Sequence, residues 1–201
     1  MSMDAEQVIA RPLPVAAGTM VVVVGPSGAG KDSVMSYAQR HFADEARVQF
    51  VRRVITRPAD AGGEAHEAID ADGFRQRAAD GAFAVSWDAH GLSYGIPRKT
   101  LNQLAQGVTL VANGSRSALP AFAEAYPRLK VVLVTARPDI LAARLAARGR
   151  ESAEAIEKRL ERAVPEIVVS ADTVVIDNSG TLEDAGGAFI SLLTLALARN
   201  D

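Results

Sequence analysis

Gly25-Pro26-Ser27-Gly28-Ala29-Gly30-Lys31-Asp32-Ser33 follows directly on Met20-Val21-Val22-Val23-Val24, a continuous apolar run bounded on its other side by Gly18. Such a run reads as a strand buried on both faces, the habit of a parallel sheet. Beyond the glycines, Val34, Met35, Tyr37 and Ala38 recur at helical spacing. Strand, glycine loop and helix in that order form the setting of a phosphate-binding loop. The glycines let the backbone turn and approach a ligand with no Cβ in the way. Successive N–H groups and the helix N-terminus then make an anion site. Lys31 adds a cation for the β- and γ-phosphates. Gly25, Pro26, Ser27, Gly28, Ala29, Gly30, Lys31, Asp32 and Ser33 are therefore the candidate nucleotide-binding residues.

One position departs from the motif, which asks for Ser or Thr after the lysine to hold Mg²⁺ through its hydroxyl. Here stands Asp32, followed by Ser33. A carboxylate is also a hard oxygen ligand for Mg²⁺, and its charge beside phosphate is tolerable with a metal between them. Asp32 and Ser33 are the candidate metal ligands. A second reading has Asp32 only charging the positive end of the helix.

The 201 residues suffice for one domain, or one with an inserted lobe, and an apolar content of 48% supports a core. A formal charge of −2 leaves no electrostatic footprint for nucleic acid. Without cysteine there is no disulfide framework, thiolate metal site or thiol nucleophile, which fits a reducing cytoplasm. No run reaches the about 18 apolar residues of a membrane span. Met1 to Ala17 carries Asp4 and Glu6 and lacks the basic start and apolar centre of a signal peptide, so it reads as a loose leader before a domain at 18–201. The pattern carries no signal for oligomeric state.

Along the chain, a helix is expected from about Gly30 to Ala43 and a strand from Val48 to Thr56. Ala59 to Ala71 reads as a loop rich in Gly and acid, and Asp72 to Asp80 as a short helix. Ala82 to Asp88 and Leu92 to Ile96 form a hairpin around His90-Gly91. Pro97 is expected to open a helix that Gly107 closes. Val108 to Ala112, Lys130 to Thr135 and Thr173 to Ile176 read as further buried strands. Helices are expected to Tyr126, over Pro138 to Arg148, from Ser152 to Ala163 or beyond, and over Leu182 to Ala198. The alternation predicts an α/β fold with a parallel core sheet flanked by helices. Residues 48–98 break it and read as a small lobe beside the sheet.

Arg137, Arg144, Arg148 and Arg150 crowd one region. Arg144 and Arg148, four apart, share a helix face, and Arg150 follows Gly149. A guanidinium fork suits phosphate, and phosphoryl transfer depends on positioning and cations. Arginines on a closing segment could engage the transferred group. The same charges, with Glu151, Glu154, Glu157 and Glu161, also fit a solvated helix face. The phosphate loop in the same chain favours the first reading.

These residues resemble the guanylate-kinase family. The resemblance rests on Gly25 to Lys31, Thr56-Arg57-Pro58, Gly81 with Phe83, Gly91, Tyr94-Gly95 and Arg144 to Gly149, and spans most of the chain from Gly18 onward. It implies a P-loop sheet, an acceptor-binding lobe at about 48–98, an arginine-bearing lid at about 137–155, and transfer of the γ-phosphoryl of ATP to a phosphate group. The guanine-reading positions differ. The family's guanine-binding glutamate falls on Val85, its Ser or Thr after Tyr-Gly on Ile96, its acidic pair on Val111 and Asn113, and its second phosphate-binding arginine near Asp60. A site built on polar partners that loses them loses its selectivity.

Within that family the chain is similar to the ribose 1,5-bisphosphate phosphokinases. The carrying residues are Gly30 to Ser33, Ile55 to Ala59, Ala61-Gly62 with Glu64 and His66, Ser86-Trp87 with His90-Gly91, Tyr94-Gly95, Asn113-Gly114-Ser115-Arg116 and Arg148 to Glu151. This implies phosphorylation of ribose 1,5-bisphosphate to 5-phosphoribosyl 1-diphosphate in phosphonate breakdown, with ATP and Mg²⁺, in a bacterial cytoplasm. Lys31, Arg144, Arg148 and Arg150 are then the candidate catalytic residues. Arg57, Tyr94 and Arg116 are candidates for the phosphorylated sugar, with Arg116 equally suited to holding a strand–helix turn. His66 and His90 lack ligand spacing for a metal and read as loop or hydrogen-bonding residues. Trp87 reads as packing of the lobe ahead of substrate stacking, and Asp177-Asn178 as turn chemistry or an adenine contact. Two rivals are a nucleoside monophosphate kinase and a non-catalytic module binding protein partners.

Overall fold

The computed structural model describes residues 17–59, 64–147 and 173–198. Arg148, Arg150, Asp60, the leader to residue 16 and the helix expected from Ser152 lie outside these residues, as does the part of the expected lid from residue 148 onward.

Five strands form the core sheet: β1 (Met20–Val24), β2 (Val48–Phe50), β7 (Thr109–Asn113), β8 (Leu129–Thr135) and β9 (Thr173–Asp177), in the order β2-β7-β1-β8-β9. Every pairing is parallel. All five residues of β1 are buried, as its unbroken apolar run requires. Val21 and Val23 pack with Val34 and Ala38 of α1 (Lys31–His41) and with Phe189 and Leu193 of α6 (Leu182–Ala198). Met20, Val22 and Val24 face the opposite side with Phe122 and Tyr126, from α4 (Leu119–Ala125) and its end. Helices α3 (Lys99–Ala105) and α5 (Pro138–Ala147) complete the layers. The fold is α/β with a parallel core sheet flanked by helices, as the alternation predicts.

The second sheet, β4-β3-β6-β5, is built from β3 (Val54–Ile55), β4 (Glu67–Ala68), β5 (Phe83–Ala89) and β6 (Leu92–Pro97), with α2 (Ala71–Ala79) beside it. The hairpin turns at His90 and Gly91, at φ 53° and 74°, as a two-residue turn with left-handed residues requires. The single strand expected over Val48 to Thr56 is two strands in different sheets. Val51 still donates to the Val111 carbonyl at 2.8 Å, then Arg52-Arg53 carry the chain across to β3. Strand period alone cannot show that the hydrogen-bonding partner changes midway. Pro97 ends β6, and the Thr100 hydroxyl caps its carbonyl at 2.7 Å, so α3 begins at Lys99. No helix among the described residues is long and apolar enough to cross a membrane.

Candidate active site

β1 leaves the sheet between β7 on one side and β8 on the other, so the loop after it opens where the strand order reverses. That is the place where open α/β sheets bind ligands. Gly25 and Gly30 fix the loop's path. A Cβ on Gly25 would stand 2.1 Å from the Val134 carbonyl oxygen. Gly30, the N-cap of α1, has φ 84°, and a Cβ there would stand 2.4 Å from Nδ2 of Asn178. Lys31 donates from Nζ to the carbonyls of Gly25 at 2.8 Å and Pro26 at 3.1 Å.

Two residues from distant strands brace this loop. Asn178, buried just past β9, donates from Nδ2 to the Ala29 carbonyl at 2.7 Å. Arg144 on α5 donates from Nη2 to the Asn178 carbonyl at 2.9 Å. Its Nη1 is buried with no hydrogen-bond partner among the described residues. A Cβ on Gly30 would lie 3.7 Å from that nitrogen. Arg144 thus brings an uncommitted donor to the phosphate loop. Asp177 serves the turn instead, accepting from the backbone N of Ser179 at 2.9 Å.

Asp32, in the first turn of α1, accepts from Nδ2 of Asn113 at 2.9 Å, and the same amide donates to Oε2 of Glu64 at 2.8 Å. Both partners only accept, so Asn113 must turn its NH₂ toward them. Asn113 is buried at the end of β7, paired with Val23 of β1. Glu64 in turn accepts from Nε of Arg53 at 2.6 Å. The buried Arg53 guanidinium lies over the rings of Tyr94, at 4.9 Å, and Trp87, at 5.7 Å. The chain of contacts Asp32–Asn113–Glu64–Arg53–Tyr94 joins the phosphate loop to the second sheet.

Arg57, just beyond β3, has a buried Nε with no partner among the described residues. Its Nη2 lies 3.2 Å from Nδ1 of His66. Tyr94 is stacked on Trp87, centroids 5.3 Å apart and planes 8° apart, and Trp87 also tilts against Phe122. Val85 and Ile96 pair directly and are buried among Met20, Val22 and Phe122.

The structure therefore brings Lys31, Asp32 and Arg144 to the phosphate loop and places Arg57 and Tyr94 on the second sheet. Ser33 and Arg116 are exposed and take no part in these contacts. Arg53, Glu64, Asn113 and Asn178 hold the arrangement together, and no sequence pattern assigned them that work. The available signal was chemical: an acid in the glycine-rich loop and an amide at two strand ends where polar groups are costly to bury.

A scan against protein-family models found no match. A ribose 1,5-bisphosphate phosphokinase PhnN of Agrobacterium fabrum is 52% identical over 174 residues, covering 87% of this chain and 95% of that protein. One from Rhizobium etli is 52% identical over 181 residues, covering 90% and 92%. Among solved structures, guanylate kinase from Anaplasma phagocytophilum superposes with a TM-score of 0.68 at 16% identity, covering 90% of this chain and 86% of that one. At that identity the guanylate kinase speaks for the fold alone, a guanylate-kinase-like P-loop fold. With half its residues shared over nearly their whole length with the first two relatives, the chain belongs to the ribose 1,5-bisphosphate phosphokinase family.

Proposed function

We propose that this protein transfers the γ-phosphoryl group of ATP to the 1-phosphate of ribose 1,5-bisphosphate, releasing ADP and 5-phosphoribosyl 1-diphosphate, in the cytoplasmic breakdown of organic phosphonates. The relatives carry that substrate in their names. The observation that carries the reading is the floor of the second sheet. At two of the positions that the guanylate-kinase resemblance gives to base recognition, Val85 is 3% and Ile96 0% exposed, inside the apolar core. Neither side chain can donate or accept a hydrogen bond, so neither would read a guanine edge. A phosphorylated pentose needs no such reader.

The phosphate loop amides and Lys31 would hold the ATP phosphates. The nucleophile is an oxygen of the acceptor phosphate, whose second pKa is near 6. It is largely dianionic at neutral pH and needs no general base. The difficulty is bringing two anions together, and cations aimed at the transferred charge resolve it. Arg144 has a buried, uncommitted Nη1 for this role. Arg148 and Arg150 would complete it from the lid. The unpartnered Nε of Arg57, with Tyr94, would hold an acceptor phosphate, and Arg116 would reach a substrate phosphate from the surface.

The residues also fit Mg²⁺. Asp32 is a hard oxygen donor beside the loop, with one oxygen held by the Asn113 amide and the other uncommitted among the described residues. Asp32, with Ser33 next to it, would hold the ion, which neutralises phosphate charge when bound.

The test is initial ADP release with ribose 1,5-bisphosphate and with GMP in Mg²⁺ at matched concentration. We expect kcat/KM for the sugar to exceed that for GMP by at least about 10³, the scale on which lost site hydrogen bonds discriminate. A GMP rate equal to or above the sugar rate overturns the reading.

A further inference from the structure

His66 is 4% exposed, and its ring meets one arginine twice. Nε2 lies 3.1 Å from the Arg57 carbonyl oxygen, and Nδ1 lies 3.2 Å from Arg57 Nη2. Nδ1 also lies 3.0 Å from the Glu64 carbonyl oxygen. The carbonyl of Arg57 can only accept, so Nε2 must carry a proton to bond it. The guanidinium can only donate, so Nδ1 must be bare to receive it. The neutral Nε2–H form satisfies both arginine contacts. The Nδ1–H form serves only the Glu64 carbonyl, loses both contacts to Arg57, and turns a proton toward its guanidinium. A doubly protonated ring would set two cations 3.2 Å apart.

We propose that His66 is a positioning residue for the acceptor phosphate. As the Nε2–H tautomer it clasps Arg57 by backbone and side chain at once and fixes its guanidinium plane. The rotamer so fixed leaves Nε as the buried donor without a partner among the described residues. A buried guanidinium N–H costs free energy until an acceptor reaches it, and an oxyanion is the acceptor that matches its charge. The charged groups around the ring define this role. Arg52 donates from Nη2 to the His66 carbonyl at 2.8 Å. Arg53 is tied to the Glu64 carboxylate, and Glu67, the next residue, pairs with Arg77. Arg57 is thus the cation whose position depends on the imidazole ring. The segment from Glu64 to His66 braces both sides of the site, Glu64 toward Asn113 and His66 toward Arg57.

The role in substrate binding rests on the proposed function, and the clasp itself does not. Two measurements separate them. Long-range ¹⁵N–¹H spectra of the wild-type protein at neutral pH should show His66 as the Nε2–H tautomer; an Nδ1–H or doubly protonated ring overturns the clasp whatever the substrate. In steady-state kinetics, His66→Ala should raise KM for ribose 1,5-bisphosphate roughly 10- to 100-fold, the scale of a displaced binding group, with KM for ATP unchanged. His66→Gln, which keeps an acceptor and a donor, should recover part of the loss. In an Arg57→Ala background, His66→Ala should add nothing. Equal changes in both KM values, or a full effect without Arg57, overturn the proposal. A wild-type protein inert toward the sugar with the Nε2–H tautomer in place defeats the proposed function and the substrate role together, and leaves the clasp standing.

Discussion

Lys31 and Gly30 show how much depends on single residues at the phosphate loop. The Lys31 ammonium donates to the Gly25 and Pro26 carbonyls of its own loop, ties local to the phosphate loop, so its loss should spare the fold and remove a cation from the transferring phosphates. Lys31→Ala should lower kcat by on the order of 10² or more with an unchanged circular dichroism spectrum. Near-normal turnover in the folded variant would remove the loop from the chemistry. Gly30 has a different duty. At φ 84°, with Asn178 Nδ2 where a Cβ would go, Gly30→Ala strains the backbone and pushes Asn178 off the Ala29 carbonyl. A loss of roughly 1–3 kcal/mol should appear in thermal unfolding, along with weaker ATP binding in calorimetry. An unchanged melting temperature and affinity would contradict it.

At the scale of elements, the end of β7 matters most, because it delivers Asn113 between a helix and a loop. P-loop enzymes pair a loop hydroxyl with a strand-end carboxylate at the metal. Here the loop carries the carboxylate, Asp32, and the strand end carries the amide. A neutral amide can bond Asp32 and Glu64 together where a third carboxylate would repel both. Asn113→Asp, though nearly isosteric, should therefore destabilise more than Asn113→Ala at neutral pH, with each costing roughly 1–3 kcal/mol. Urea unfolding midpoints decide the order, and a milder effect from aspartate would defeat the account. The expected strand over Val48 to Thr56 failed at this same scale. Its β propensity is real throughout, but β2 pairs with β7 and β3 with β6. Which neighbour a strand finds is a long-range matter.

Across the whole molecule, the helical layer of α3 and α4 is locked to the sheet through Tyr126. Its hydroxyl lies 2.8 Å from Thr100 Oγ1, and burial pushes the phenol up to about 12. The phenol then stays protonated in the folded protein while the unfolded chain releases its proton near pH 10. Between pH 10 and 12 the unfolded state binds fewer protons, so stability falls as pH rises, by about 2 kcal/mol over that window. Tyr126→Phe should remove this share of the alkaline loss. Parallel losses in both proteins, measured by denaturant unfolding from pH 8 to 11.5, would refute it.

By itself the sequence determined the parts whose causes are local. An unbroken apolar run makes β1, glycines at fixed spacing make the loop, His90-Gly91 makes the hairpin turn, and the period of Leu182 to Ala198 makes α6 over those same residues. The phosphate loop and the apolar residues at positions 85 and 96, Val85 and Ile96, were legible for the same reason. Only the tertiary structure decided which polar groups meet. Asn113 and Asp32 are 81 residues apart, Asn178 and Ala29 are 149 apart, and no periodicity records such pairings. They form because a buried polar group must find a partner, and the order of the strands determines which one it can reach.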